Sequence, residues 1–173
     1  DDRGEWALEE ALSALPAWFG ARGITHGRRQ GTYTSPAGLW GLTLAFGTGD
    51  ALPGSRMPWR AVTEDSFWIC DNDSLYYNTW QERGDPALLD TWDEDDGEHL
   101  IDFGDSYRYA VATDFNTPPY ARRRVGAAIF LHCDAKPTAG CVGVGEEDMV
   151  SILRWLDPEQ GPCILITGRQ AEA

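Results

Sequence analysis

The chain has 173 residues, 42% hydrophobic and 12% aromatic, enough for one domain with a buried core and too apolar for a disordered chain. A formal net charge of −14 speaks against nucleic acid, whose phosphates require a Lys/Arg face, and suits solubility in salty or extracellular surroundings. No apolar run approaches the ~20 residues of a membrane-spanning helix, and no signal peptide is visible at Asp1, as expected of a mature or trimmed chain.

Residues 6–19 place Trp6, Leu8, Leu12, Leu15 and Phe19 at helical spacing, with Glu9 and Glu10 in the first turns. This predicts a helix of about two turns that Pro16 kinks or ends. Residues 31–38 read as loop and turn, 39–46 (LWGLTLAF) as a strand, and 47–58 as a long Gly/Pro/Ser loop. Residues 62–70, ending in SFWIC, form a second strand pattern. Asp71 to Ser74 is turn chemistry, followed by an extended aromatic segment over 75–80.

The acidic run 90–98 (DTWDEDDGE) reads as a solvated loop, without the ligand spacing of a calcium loop. Residues 107–115 alternate as a strand. Arg122-Arg123-Arg124 is either a solvated loop tip or a contact for an anionic substrate group. Residues 127–131 are a buried strand pattern that delivers His132. The chain then breaks at Lys136-Pro137, turns through 138–140, delivers Cys141 and continues in a second β-prone run, 142–144. Residues 146–156 predict an amphipathic helix with Met149, Ile152, Leu153 and Leu156 on one face. Residues 163–167 close the pattern as a strand, before a tail at 169–173. The fold class expected is mainly β (α+β), with a helix near the start and another after Cys141.

Of the four cysteines, Cys70, Cys133 and Cys163 lie in apolar runs and read as small buried hydrophobes, with at most one disulfide among them if Cys141 is free. None shows C-x-x-C or zinc-finger spacing, so neither metal nor cofactor is expected. Cys141 is either a buried or bonded cysteine or a nucleophile. Favouring the nucleophile, His132 stands nine positions upstream across a tight turn, where an imidazole could serve a thiolate. Ala139, Gly140 and Gly143 leave the sulfur open, and the Gly140 and Cys141 amides can converge as an oxyanion hole. His26 lies in a Gly/Arg loop and His99 beside the acidic run, leaving His132 as the economical base. No G-x-S-x-G, Walker motif or G-x-G-x-x-G is present.

The TAGCV stretch 138–142 resembles the [S/T]-H-G-C-[V/I] signature of the L,D-transpeptidase (YkuD-type) catalytic domain family. TSPAGLW at 34–40 looks like that family's early T-P-x-G element, and Leu44-Ala45-Phe46-Gly47 with Met57-Pro58-Trp59-Arg60 like its FG…MPYR segment. Trp68, Asp71, Ser74, Tyr77 and Asn78 are similar to a W-x-x-D-x-x-S-x-x-Y-N stretch of one branch. AIFLH at 128–132 resembles the strand of the catalytic histidine, and ILRWLDP at 152–158 that branch's later helix. Ala139 stands where the common signature has a second histidine, and Gly143 where it often has Arg or Asn, which marks a divergent branch.

The resemblance implies one L,D-transpeptidase-like catalytic domain over 1–173, matched over about 31–167, with 1–30 as an N-terminal helical extension. It implies a mixed β-sandwich in an exported, monomeric enzyme of the periplasm or cell-wall compartment. Cys141 would attack a peptidoglycan stem peptide, His132 would be general base, and the Gly140 and Cys141 amides would form the oxyanion hole. An acceptor amine would resolve the acyl-enzyme into a cross-link, or water would hydrolyse it as in an L,D-carboxypeptidase or endopeptidase. A β-lactam of the carbapenem type would acylate the same thiol. Arg60, Tyr77, Asn78, Arg124 and Thr138 are the expected substrate contacts. The contrasting reading is a catalytically silent wall-binding module.

Overall fold

Twelve strands and one α-helix are described over residues 10–168 in a computed structural model of the protein. The strands are β1 (Ala17–Trp18), β2 (Ile24–Thr25), β3 (Ser35–Pro36), β4 (Gly38–Gly47), β5 (Trp59–Ala61) and β6 (Ser66–Ile69). They continue with β7 (Trp80–Glu82), β8 (Gly97–His99), β9 (Ala110–Thr113), β10 (Phe130–Cys133), β11 (Val142–Val144) and β12 (Cys163–Ile166). Helix α1 spans Glu146–Trp155. The main sheet runs β1-β11-β10-β9-β4-β12, with β5 alongside β4. A small sheet, β7-β6-β8, and the β2-β3 pair complete the described fold. It is mainly β, with a mixed sheet in which β10-β11 and β4-β5 are parallel.

Every residue of β9, β10 and β11 is buried, because both faces of the main sheet are covered. One face packs α1 through Met149 and Leu153 against Ala45, Val111, Leu131 and Val142. The other faces the small sheet across an aromatic core. There Phe46 is the hub, with ring centroids 5.0 Å from Phe130, 5.5 Å from Trp80, 5.8 Å from Tyr107 and 6.5 Å from Trp68. A bulge between Leu42 and Leu44 makes this division possible. One extra residue flips side-chain parity, so Leu42 and Ala45 enter the helix-side core while Leu44 and Phe46 enter the aromatic one.

Strand β4, helix α1 with its expected apolar face, and closing strand β12 appear where the patterns put them. Several other expectations are corrected. Within 6–19, residues 6–9 lie outside the described residues, Glu10–Leu12 form one 3-10 turn in place of the expected α-helix, and Pro16 is followed directly by strand β1. Residues 17–25 are not an appendage: β1 pairs with β11, and β2 with β3. Residues 75–79 turn instead of extending, because Asn78 adopts φ +61. Tyr107 closes a 3-10 segment, so β9 is confined to four residues. The acidic run folds into a 3-10 turn, Glu94–Asp96, followed by β8.

The chain between His132 and Cys141 makes no hairpin. It crosses between parallel neighbours, with Leu131 opposite Val142 and His132 opposite Gly143. All four cysteines are free, and Cys163 is exposed on β12 instead of buried. Among the described residues no helix is long and apolar enough to cross a membrane.

Truncating the aromatic hub with Phe46→Ala should cost about 3–5 kcal/mol, since four surrounding rings cannot collapse into the space. Urea unfolding monitored by Trp fluorescence measures this, and Phe46→Leu should cost clearly less.

Candidate active site

Cys141 precedes β11, and its sulfur is fixed by the backbone leading into β10. Its thiol donates to the Ala128 carbonyl at 3.2 Å and accepts from the Phe130 amide at 3.4 Å. Strict alternation along parallel β10 and β11 puts Cys141, Phe130 and His132 on the aromatic side of the sheet. Burial, and next the negative charge of Glu98, push the thiol up to about 12, against the smaller opposing influence of the Phe130 amide and Arg28. The resting sulfur is therefore a protonated thiol.

His132 shares that face but makes no hydrogen bond to Cys141. Its ring meets Tyr107 edge-on at 5.2 Å, and its Nδ1 lies 3.2 Å from the Ser106 carbonyl and 3.3 Å from the Cys133 carbonyl. Carbonyls only accept, so Nδ1 carries the proton and Nε2 keeps its lone pair. Burial lowers the imidazole below its ordinary value, which keeps it neutral at pH 7.

The two charges that act on the sulfur are Glu98 and Arg28. Neither emerged from the sequence, where Glu98 was one acid in a run of acids and Arg28 one arginine of two. The run ends in Gly-Glu-His-Leu, where β8 pairs with β6 and turns Glu98 inward. That carboxylate accepts from Tyr107 Oη at 2.6 Å. Burial raises Glu98 to about 7, although Tyr107 and Arg28 both favour its charged form. Arg28 donates to the Thr34 carbonyl and reaches the Ala139 carbonyl at 3.4 Å. A pocket of about 170 Å³ is lined by Arg28, Gln30, Cys70, Glu98, Ala127 and Ala139, among others, and so gathers the two charged groups that act on the sulfur, although neither Cys141 nor His132 lines it.

The expected oxyanion hole is changed at Gly140. Its amide donates to Thr138 Oγ1 at 3.1 Å. The open space beside it is filled: a Cβ there would sit 2.8 Å from Arg28 Cζ and 2.9 Å from the Thr34 carbonyl, and φ is +151. Glycine is required for close packing of Arg28, not for ligand access.

Thr138, expected as a substrate contact, acts as a clamp on this loop, because its hydroxyl also donates to the Cys141 carbonyl at 2.7 Å. The strap at 19–21 holds the same loop. Thr138 N donates to Phe19 O and Ala21 N to Thr138 O, each at 2.9 Å, while Gly20 N reaches Ser35 Oγ, also at 2.9 Å. The Ser35 hydroxyl in turn donates to the Cys141 carbonyl at 3.3 Å.

Three further expected contacts are occupied internally. Asn78 is buried, accepting from Trp68 Nε1 at 2.8 Å and Ala128 N at 3.0 Å and donating to the Phe115 and Asn116 carbonyls at 2.9 Å each. Tyr77 is buried, with its hydroxyl accepting from Gly126 N at 3.1 Å. Arg60 pairs with Glu82 at 3.0 Å and lies over the Trp80 ring. Arg124 alone of the set lines an open cleft.

No protein-family model, no curated protein and no solved structure matches the chain.

Glu98 gives the site a pH signature. The folded carboxyl holds its proton up to about 7, whereas the unfolded one releases it near 4.5. Between these values the folded state binds more protons, so stability falls as pH rises through that window. Glu98→Gln should remove this contribution. Relative to wild type it should gain about 1–2 kcal/mol between pH 5 and pH 8, allowing for solvent screening. Urea unfolding at both pH values checks it, and a pH-independent difference would contradict the assignment.

Proposed function

We propose that the protein is a cysteine acyltransferase of the L,D-transpeptidase kind, acting on peptidoglycan stem peptides in the periplasm or cell-wall compartment. The observation that carries the reading is the Cys141 sulfur, held between the Ala128 carbonyl and the Phe130 amide and acted on by the charges of Glu98 and Arg28. The sequence resemblance over 31–167 supports the substrate class.

In the proposed reaction the Cys141 thiol loses its proton to His132 Nε2, whose lone pair is left open by the Nδ1 anchoring. The transfer requires Nε2 to come within reach of the sulfur, to which His132 makes no hydrogen bond at rest. The sulfur attacks the donor carbonyl, and the Cys141 amide supports the oxyanion. Collapse expels the leaving amine, which takes the proton from His132. An acceptor amine then attacks the thioester, its proton leaves to the same imidazole, and the thiol is regenerated. Protonation of Glu98 removes the largest opposing charge and leaves Arg28 and the Phe130 amide to favour thiolate.

A silent binding module is the second reading, favoured by the same burial and by the absence of a His132–Cys141 hydrogen bond. Thiol labelling separates the two. An active site should give Cys141 alkylation by iodoacetamide that Glu98→Gln speeds roughly 2- to 10-fold at pH 8, because a lost negative charge lowers the thiol's pKa. Indifference to Glu98 would favour the silent module.

Intact-mass analysis of muropeptide reactions decides the function. Wild type should give cross-linked dimer, or released D-Ala if water is the acceptor, and a carbapenem adduct on Cys141. Cys141→Ala should lose activity roughly a thousandfold or more. Full activity in that variant would overturn the mechanism.

A further inference from the structure

Outside the pocket shared by Arg28 and Glu98 lies a cleft of about 620 Å³ whose walls carry Arg28, Arg29, Arg122, Arg123 and Arg124. These are five of only 14 basic side chains in a chain with 28 carboxylates, yet among the described residues no carboxylate lines the cleft. The side chains of Arg29, Arg122 and Arg124 make no ion pair or hydrogen bond among the described residues. Arg28 Nε is buried without an acceptor. Arg28 donates to the Thr34 carbonyl and Arg123 to the Asn72 carbonyl, but five like charges gathered around one space still repel one another, and an anion between them would relieve that repulsion.

The walls are fixed in advance. Gln30 N donates to the Arg124 carbonyl at 3.0 Å, tying the 28–30 loop to the 122–125 loop. Asn72 Oδ1 accepts from Arg124 N at 2.6 Å, while its Nδ2 donates to Gln30 Oε1 at 3.0 Å. Asn116 closes the arginine loop by accepting from Arg122 N at 2.8 Å and donating to the Arg122 and Gly126 carbonyls. A pre-formed cationic cleft loses little entropy on binding. Its far wall is apolar, built on Trp40 and Phe115 with ring centroids 5.0 Å apart.

We propose that this cleft is a carboxylate-binding subsite for a multiply anionic peptide, which its arginines grip while Trp40 and Phe115 take the intervening aliphatic groups. Guanidinium spread over this volume matches several separated carboxylates better than one compact phosphate. Arg28 lines both this cleft and the smaller pocket it shares with Glu98, and its charge acts on the Cys141 sulfur, which links the cleft to the proposed site. The inference rests on the acyl-transfer reading for the choice of a peptide as bearer of the charge.

Calorimetry on the Cys141→Ala protein tests the cleft without any chemistry at the sulfur, so its failure is distinct from a failure of acyl transfer. The probes are acetyl-Glu-Glu-Glu, neutral acetyl-Gln-Gln-Gln amide, and inorganic pyrophosphate. The glutamate peptide should bind, weaken as salt rises, and lose roughly tenfold or more in affinity in Arg122→Gln/Arg124→Gln and separately in Arg29→Gln. These side chains make no hydrogen bond or ion pair among the described residues, so near-ultraviolet circular dichroism should be unchanged. Glutamate-peptide binding no tighter than the neutral peptide, or untouched by the variants, overturns the proposal. Pyrophosphate binding that the glutamate peptide cannot displace also overturns it, in favour of a phosphate site.

Discussion

Asn78 is the constraint on which the site depends. Its one buried amide group joins the small sheet through Trp68, the end of β9 through Phe115 and Asn116, and the entry to β10 through Ala128. Ala128 itself has φ +52, a conformation that an alanine holds only when its surroundings impose it. The carbonyl so placed is the acceptor of the Cys141 thiol. A buried polar side chain thus sets the position of the Cys141 sulfur.

The same packing decides the sulfur's chemistry. Burial has the largest effect, Glu98 adds to it, and Arg28 with one backbone amide does not outweigh the pair. A thiol in that balance rests protonated. Burial raises the Glu98 carboxyl itself to about 7, so the charge that adds to the sulfur's burial is itself set by packing. Tyr107 couples the two sides of the site, donating to Glu98 and packing against His132.

Charge is distributed against the average. A chain with net charge −14 keeps five arginines around one cleft, where Asn116 and Asn72 fix the backbone at Arg122 and Arg124. The overall sign describes solubility and repulsion from other polyanions, while a local field is set by which loops meet. The loops at 28–30 and 122–125 are far apart in the chain and bonded to each other in space.

The sequence alone determined the strand-rich class, the strand β4, the helix after Cys141 with its buried face, and the pairing of a buried β10 with His132 and Cys141 as the residues of interest. These rest on local periodicity and on residue chemistry, which need no partner to be read. Tertiary structure alone decided the rest. The acidic run yields Glu98 to the site because β8 finds β6, and a long-range strand pair leaves no mark within a run of acids. Asn78, Tyr77 and Thr138 became internal ties because their partners lie elsewhere in the chain. The stretch between His132 and Cys141, read as a tight turn, is a crossover between parallel strands, and β1 with the strap at 19–21 lies along the other side of β11. Spacing along a chain limits reach, but strand direction decides which side chains meet.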